Sequence, residues 1–387
     1  MNLRFLLRVL SACGLLGGLV APVMAADWFQ TIKISGDIRY RLEDTQDEGT
    51  TGVIACQDRQ RVRVRLDVQA PLDENWRTEV RLATDESGFA GGNGDPGSRN
   101  QTLGDLDSAK PVWLDLGYLE YKPWPALLKL QAGKVPNPFK LVGGNKLLFA
   151  ADLALEGMAG NFNWPVTADT SIFVNGGGFW IREVAKSYDP MLYASQVGVK
   201  AKLLDNLTLT AGLGEFFYTD LTNQFPLDCK TAAPTAAVPG NSKGNTLVMA
   251  TGFYQDNYYL TEGFLEVAGQ AWNLPLKGYA DYVLNHGATH FQKAYILGII
   301  VNKADKAGTW EGGYNWRLLE KNSLLAAYAD PDFAAATIDG YGHVLTGSYA
   351  VTDAAKATLT FIRDRKTMSG PTAPFFNRFQ ADITLAF

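Results

Sequence analysis

Four arginines occupy every second position from Arg59 to Arg65. A guanidinium group stays charged in proteins and presents forked donors that match carboxylates and phosphates. Side chains two residues apart in a β-strand point to the same face, so these arginines form one basic row if the segment is a strand. A row of fixed charge beside water selects ions without any catalytic step. The pattern therefore predicts a charge-selecting surface.

The basic row must face water, because each arginine facing lipid at mid-depth of a bilayer would cost about 2–4 kcal/mol. Neighbouring segments carry more charged residues at the same alternation. The predicted pore-lining residues are Arg39, Arg41, Arg61, Arg63, Arg65, Arg77, Arg81, Lys129, Lys134, Asp152 and Glu156. A plainer interpretation stays open, in which the arginines pair across strands with Asp37, Asp67, Glu79 and Asp85 and leave little net field.

Other reactive side chains do not assemble into a catalytic pattern. His286 and His290 lie four apart in a short loop without a helical pattern, so they predict solvated histidines rather than metal ligands. The chain has 3 histidines, and no motif brings a nucleophile, a base and an orienting acid together. We therefore expect no catalytic residue, no metal site, no cofactor and no enzymatic activity.

Two cysteines, Cys56 and Cys229, remain after removal of a predicted leader, and both fall in predicted outer loops. An oxidising compartment permits a disulfide between them. Their loops lie nearly opposite each other around the predicted fold, so the bond requires the longer loop to cross the mouth. A disulfide and two free thiols remain equally open.

Alternating apolar and polar residues recur along the chain in segments of about 10 to 14 residues, the length with which a tilted strand crosses a bilayer. No run of 18 apolar residues follows the leader, which excludes helical membrane spans. Fourteen or eighteen strands are alternatives to sixteen, since residues 246–254 could add one. Sixteen segments fit: 29–43, 59–70, 76–86, 112–122, 127–135, 152–164, 168–180, 191–203, 206–218, 257–272, 276–285, 292–303, 309–319, 341–351, 355–365 and 376–387.

The final twelve residues are the clearest of these segments. Phe379, Ile383 and Leu385 would face lipid, whereas Arg378 and Asp382 would face a wet interior. Short turns and long polar loops alternate between the segments, which is the asymmetry of barrels with periplasmic turns and outer loops. The sequence thus predicts an all-β, transmembrane antiparallel barrel.

The N-terminal residues 1–25 predict a signal peptide. Arg4 and Arg8 precede an apolar stretch, and a cleavage site of small residues ends at Ala25. A lipid-attachment site at Cys13 is the alternative. Removal of this leader moves the formal net charge from −5 to −7 because two arginines are lost, and this mild acidity argues against nucleic-acid binding. Residues 26–387 would form a single outer-membrane barrel domain.

Several motifs, in this order, resemble the putative porins of Gram-negative outer membranes. They are GKVPNPF at 133–139, DLALEG at 152–157, EGFLEV at 262–267, GYADYVLN at 278–285, WEGGYNWR at 310–317 and the terminal strand. The resemblance implies a passive, water-filled channel in the outer membrane that assembles as a homotrimer. It also implies that the third long loop, residues 135–151, folds into the barrel and brings Asp152 and Glu156 opposite the arginines.

The predicted function is passive diffusion of small hydrophilic solutes and ions. Anions are preferred because of the basic wall, which is the arginine-rich inner face of the first three strands. The predicted partners are outer-membrane lipids and such solutes. Three alternatives are a closed barrel whose outer loops bind a surface partner, a barrel hydrolase, and a secreted all-β carbohydrate-binding protein.

Overall fold

The computed structural model describes residues 31–49, 54–86, 95–184, 188–227 and 241–387. Their strands belong to a single antiparallel sheet. The strands are β1 (Lys33–Asp47), β2 (Ala55–Pro71), β3 (Trp76–Thr84), β4 (Gln101–Thr102), β5 (Val112–Trp124), β6 (Leu128–Pro136), β7 (Ala154–Pro165), β8 (Thr170–Trp180), β9 (Met191–Leu204), β10 (Leu207–Tyr218), β11 (Tyr258–Ala271), β12 (Leu274–Asn285), β13 (Lys293–Asn302), β14 (Trp310–Leu319), β15 (Gly340–Ala350), β16 (Ala355–Arg365) and β17 (Phe375–Ala386).

The sheet closes on itself, because β1 pairs with both β2 and β17. Two backbone hydrogen bonds complete the seam: Gly36 N–H donates to the Phe387 carbonyl at 3.0 Å, and Phe387 N–H donates back at 3.1 Å. Sixteen of the strands form the wall. The two-residue strand β4 pairs with β2 at Arg61 and Val62, beyond the point where β3 ends. The predicted closed barrel of sixteen strands is confirmed.

The wall has an apolar outer face and a polar inner face, as the period of two in each strand requires. In β17, Phe379, Ile383 and Leu385 are exposed on the outside, whereas Arg378 and Gln380 are buried inside. The same alternation in β1 exposes Ile38, Tyr40 and Leu42 outward. This division places the charged residues of each wall strand in the interior.

Most predicted strands agree with the structure within a few residues, but the first hairpin is longer than predicted. The β1–β2 ladder continues through polar pairs such as Thr45–Gln57 and Gln46–Cys56. Because these residues are polar on both faces, no apolar alternation marked them as strand, and Cys56 lies in β2 rather than in a loop. Residues 246–254 do not form a strand of the sheet and carry only the isolated bridge between Leu247 and Tyr254.

Short turns join strands at one end of the barrel, whereas long loops occupy the other end and fold inward. The described part of these loops contains four short 3-10 turns: Val142–Gly144, Leu221–Asn223, Ala326–Tyr328 and Ala334–Ala336. None of the described helices is long and apolar enough to cross a membrane. The loops pack an apolar cluster inside one side of the barrel that includes Phe139, Leu147, Leu148, Phe149, Phe216, Tyr218, Tyr254, Tyr258, Leu324, Leu325 and Phe333.

Candidate functional site

The register of β1 and β2 assembles a block of four arginines on the inner face. Arg39 lies opposite Arg63, and Arg41 lies opposite Arg61. Like charges directly opposite each other destabilise a sheet. Such a block therefore requires carboxylates nearby, and their positions define the site.

Carboxylates on the wall and on the inward loops surround the arginine block. Asp37 accepts hydrogen bonds from Arg63 Nη2 at 2.8 Å and from Arg65 Nε at 2.6 Å. Asp382 accepts from Arg41 Nε at 2.7 Å and Nη2 at 2.8 Å, a forked pairing. Further pairs are Arg59–Glu43, Arg61–Glu86, Arg81–Asp67, Arg77–Glu120 and Arg99–Asp115.

The arginine is the more exposed partner in several of these pairs. The Arg65 side chain is 23% exposed and Asp37 12%, while Arg81 is 26% exposed and Asp67 10%. The contrast is larger for Arg59 against Glu43, at 21% and 0%, and for Arg77 against Glu120, at 33% and 1%. The order is reversed for Arg61–Glu86 and, by a small margin, for Arg63–Asp37 and Arg41–Asp382. Positive charge therefore meets the interior solvent at most of these pairs.

The loop of residues 137–153 crosses the interior and is held by the opposite wall. Lys140 N–H donates to Gln196 Oε1 at 2.7 Å, and Gly143 N–H donates to Glu266 Oε2 at 2.6 Å. The Asn145 side-chain amide donates to Asp281 Oδ2 at 3.0 Å. These contacts on β9, β11 and β12, together with the apolar cluster, fix the loop across the barrel.

The end of this loop brings Asp152 to the arginine block. Its Oδ1 atom lies 3.5 Å from Arg63 Nη1 and 3.4 Å from Arg65 Nη1. Burial alone would raise the pKa of Asp152, but Arg63, Arg65 and Arg39 more than offset this and hold the pKa below its ordinary value. Asp152 thus remains a carboxylate, and both the cross-strand pairing with Asp37 and the predicted approach of Asp152 occur at the same arginines.

Lys134 and Glu156 do not join this group, which corrects the expectation that they line the interior. They lie opposite each other on β6 and β7, and Lys134 Nζ is 2.6 Å from Glu156 Oε1. Glu156 also lies opposite Trp180, which is exposed on the outer face, and Met158 continues that exposed series. The strand alternation therefore turns both charged side chains outward near the end of the wall.

The remaining predicted lining residues lie on the inner face closer to the short-turn end. Arg77 Nη2 donates to Glu120 Oε2 at 2.9 Å, and the Gln131 amide donates to the same oxygen at 3.2 Å. Lys129 shares the face of Gln131 on β6 and lies near Glu120. Arg81 Nε bonds Asp67 Oδ1 at 2.6 Å and approaches Asp115 at 3.8 Å.

Sequence reasoning missed several charged residues that the fold brings to the block. The sequence placed Arg378 and Asp382 on the wet face but did not link them to the block, although closure of the barrel pairs the last strand with the first and sets Asp382 opposite Arg41. Asp332, in the β14–β15 loop, lies 2.7 Å from Arg378 and 3.5 Å from Arg41. No periodicity marks a residue in such a loop. Burial opposes ionisation of Asp332, but these arginines hold its pKa well below the ordinary value.

The predicted cysteine and histidine residues take no part in the ion pairs of this site, although Cys56 lines a cavity with Arg59 and Arg61. Cys56 is exposed in β2, and Cys229 lies outside the described residues, so the disulfide stays a prediction. His286 Nε2 contacts Thr261 Oγ1 at 3.0 Å. Among the described residues, no group of three or more histidine, cysteine, aspartate or glutamate side chains could hold a metal ion.

A closed barrel with an apolar outer face and a charged, loop-narrowed interior is the architecture of an outer-membrane channel. The chain belongs to the family described as "Putative porin", whose model matches residues 50–255. Family and fold together make it an outer-membrane porin. This confirms the family resemblance found in the sequence motifs.

Solved porin structures share the fold at low sequence identity. OprB of Pseudomonas putida, solved at high pH, is 12% identical with a TM-score of 0.57, and the match covers 95% of this chain and 99% of OprB. OmpF of Salmonella typhi, in complex with daunomycin, is 10% identical with a TM-score of 0.51, covering 92% and 97%. A search of curated protein sequences found no match. These likenesses concern the fold.

Proposed function

We propose that the protein conducts small hydrophilic solutes and ions by passive diffusion, without a catalytic step, and that it prefers anions. The observation that carries the preference is the unequal exposure within the ion pairs of the basic wall. In four of them the arginine reaches the interior solvent while its carboxylate partner lies deeper. A passing ion therefore meets positive charge first.

We further propose that residues 1–25 direct export to the outer membrane and that the mature chain forms a homotrimer there. The leader is supported by its basic start, apolar core and small-residue cleavage site. The trimer is supported by the family resemblance.

The test is reconstitution of the detergent-purified protein in a planar lipid bilayer. Single-channel steps and the reversal potential are recorded under a potassium chloride gradient. Stable steps and a potential favouring chloride are expected. A potential favouring potassium would refute the anion preference, and a folded barrel without steps would refute the channel.

A further inference from the structure

Two carboxylates of the β14–β15 loop lie among four cations from different elements. Asp332 is 2.7 Å from Arg378 Nη1 on β17 and 3.5 Å from Arg41 Nη1 on β1. Asp330, two residues earlier, accepts a hydrogen bond from Arg317 Nη1 on β14 at 2.9 Å. Each of the two carboxylates therefore pairs with at least one arginine that the other does not contact.

Lys146, on the loop of residues 137–153, is shared between the two carboxylates. Its Nζ atom is 3.6 Å from Asp330 Oδ1 and 3.9 Å from Asp332 Oδ2. The Lys146 side chain is 38% exposed, whereas Asp330 is only 2% exposed. A single, partly exposed ammonium group thus bridges two carboxylates at the edge of the solvent-accessible interior.

The cation group has donors to spare. Arg41 Nη1, Arg317 Nε and Arg378 Nε are buried and make no hydrogen bond within the described part of the chain. A buried donor without an acceptor costs free energy. The group can therefore donate to carboxylate oxygens beyond those that Asp330, Asp332 and Asp382 supply.

The segment 330–332 separates two cavities on the solute side of the basic wall. A cavity of about 360 Å³ toward the long-loop end is lined by Pro331, Arg378, Arg59 and Arg61. A second, of about 240 Å³, is lined by Asp330 and Asp332 together with their partners Arg41, Lys146 and Arg317. The segment therefore borders both cavities.

We propose that small dicarboxylates bind to the group of Arg41, Lys146, Arg317 and Arg378 by displacing the carboxylates of Asp330 and Asp332. In the absence of solute, Asp330 and Asp332 occupy the positions that the two carboxylates of the solute would take, and Lys146 contacts both positions. Arginine pairs well with planar carboxylates through its forked donors, and a cavity of about 240 Å³ is small for a sugar chain or a peptide. This inference deepens, and rests on, the proposed anion-preferring channel.

The test measures how succinate, added to one side of a bilayer, reduces the chloride current of reconstituted channels. Acetate and inorganic phosphate are the comparison anions. We expect succinate to reduce the current of the wild-type channel at a lower concentration than either. In the double variant D330N/D332N, the half-blocking concentration of succinate should fall about tenfold or more, because the internal competitor is gone.

Lys146→Gln provides a second variant whose fold is at little risk, since this side chain is partly exposed. We expect it to raise the half-blocking concentration of succinate but not that of acetate, because only a dicarboxylate uses the shared ammonium.

Asp305→Asn is the matched control for the removal of negative charge in D330N/D332N. Asp305 is exposed in the turn between β13 and β14 and pairs with Lys303 at 2.6 Å, so its loss should leave the block unchanged.

Three results would overturn the inference: equal block by phosphate and succinate, an unchanged response in a folded D330N/D332N channel, or an equal effect of Lys146→Gln on succinate and acetate. A channel that conducts chloride but shows any of these refutes only the dicarboxylate site. A folded protein that conducts no ions refutes the proposed function itself.

Discussion

At the scale of single residues, the arginine block combines an unfavourable register with a clear arrangement of counter-charges. Arg39 faces Arg63 and Arg41 faces Arg61, which a purely structural wall would avoid. Three carboxylates offset the repulsion between these arginines. Arg63 pairs with Asp37 of β1 and with Asp152 of the inward loop, and Arg41 pairs with Asp382 of β17. Within the block, Arg41 and Arg63 are about as buried as their carboxylate partners, whereas the flanking Arg59, Arg65, Arg77 and Arg81 are more exposed than theirs. The flanking arginines can therefore act on solutes while the block holds the wall.

Charge reversal within the block should change ion selectivity. We expect Arg61→Glu, Arg63→Glu and Arg65→Glu to lower the ratio of chloride to potassium permeability by about twofold or more each, since the fixed charge near the path changes sign. The reversal potential in a potassium chloride gradient measures the ratio. Lys303→Glu makes the same charge change in an exposed turn and serves as the control. Unchanged selectivity in all three variants would contradict a field set by the basic wall.

The lowered pKa of Asp152 predicts how this field responds to acid. Burial raises the pKa of Asp152, but the nearby Arg63, Arg65 and Arg39 lower it by more than burial raises it. The folded pKa therefore lies below the unfolded value of about 3.9. The carboxylate therefore stays charged at pH 5, and its contribution to folding stability is present above the unfolded pKa and is lost only as pH falls through the folded pKa.

We therefore expect Asp152→Asn to shift the reversal potential toward anions, and this difference from wild type should persist from pH 7 to pH 5. The measurement is the reversal potential of both proteins at each pH. A difference that disappears by pH 5 would show that Asp152 takes up a proton there, contrary to the lowered pKa.

At the scale of elements, the inward loop depends on a close approach that only glycine permits. Gly143 has φ of +63°, and a Cβ atom built there would lie 2.2 Å from the Tyr279 ring. Gly144 has a nearly equal φ of +62°, but no atom lies within 4 Å of its Cβ position. Substituting alanine at Gly144 would therefore test backbone strain alone, whereas the same change at Gly143 would test strain and steric overlap together.

We expect Gly143→Ala to unseat the loop and to destabilise the protein by about 1–3 kcal/mol more than Gly144→Ala, because both share the strain of positive φ but only the first overpacks the interior. Thermal unfolding in detergent measures stability, and single-channel conductance reports the loop. Equal effects of the two substitutions would mean that the contact with Tyr279 does not hold the loop.

At the scale of the whole molecule, closure of the barrel has a direct consequence. Every strand of the wall is paired on both sides, and its outer face is apolar. We expect the protein to require detergent for extraction and, unheated, to migrate faster in SDS gel electrophoresis than after boiling. A protein that dissolves without detergent would instead fit the secreted, soluble alternative.

The proposed homotrimer is a separate prediction at this scale. Native mass spectrometry of the protein in detergent should give three times the mass of the mature chain, since apolar outer walls can pack against each other as well as against lipid. A mass equal to one chain, in a preparation that conducts ions, would contradict the trimer and leave the channel intact.

The alternation of residues was sufficient to predict the barrel. Because side chains in a strand alternate between faces, the pattern itself separated Ile38 from Arg39 and Phe379 from Arg378, and it located all sixteen wall strands within a few residues. Where the alternating residues are polar on both faces, as at the paired Thr45 and Gln57, the predicted strands were too short: β1 was predicted to end too early and β2 to begin too late. Parity also shows why Lys134 and Glu156 were misplaced: both follow the outward series of their strands.

The charges that complete the site come together only through contacts between distant parts of the chain. Closure brought Asp382 beside Arg41 across more than three hundred residues, and two inward loops delivered Asp152, Lys146, Asp330 and Asp332 to the arginines. A loop residue has no period that reveals its direction, and its position depends on contacts with walls distant in sequence. Local alternation of residues was thus enough to predict the wall and its two faces, whereas the folding of the loops established which charges meet inside it.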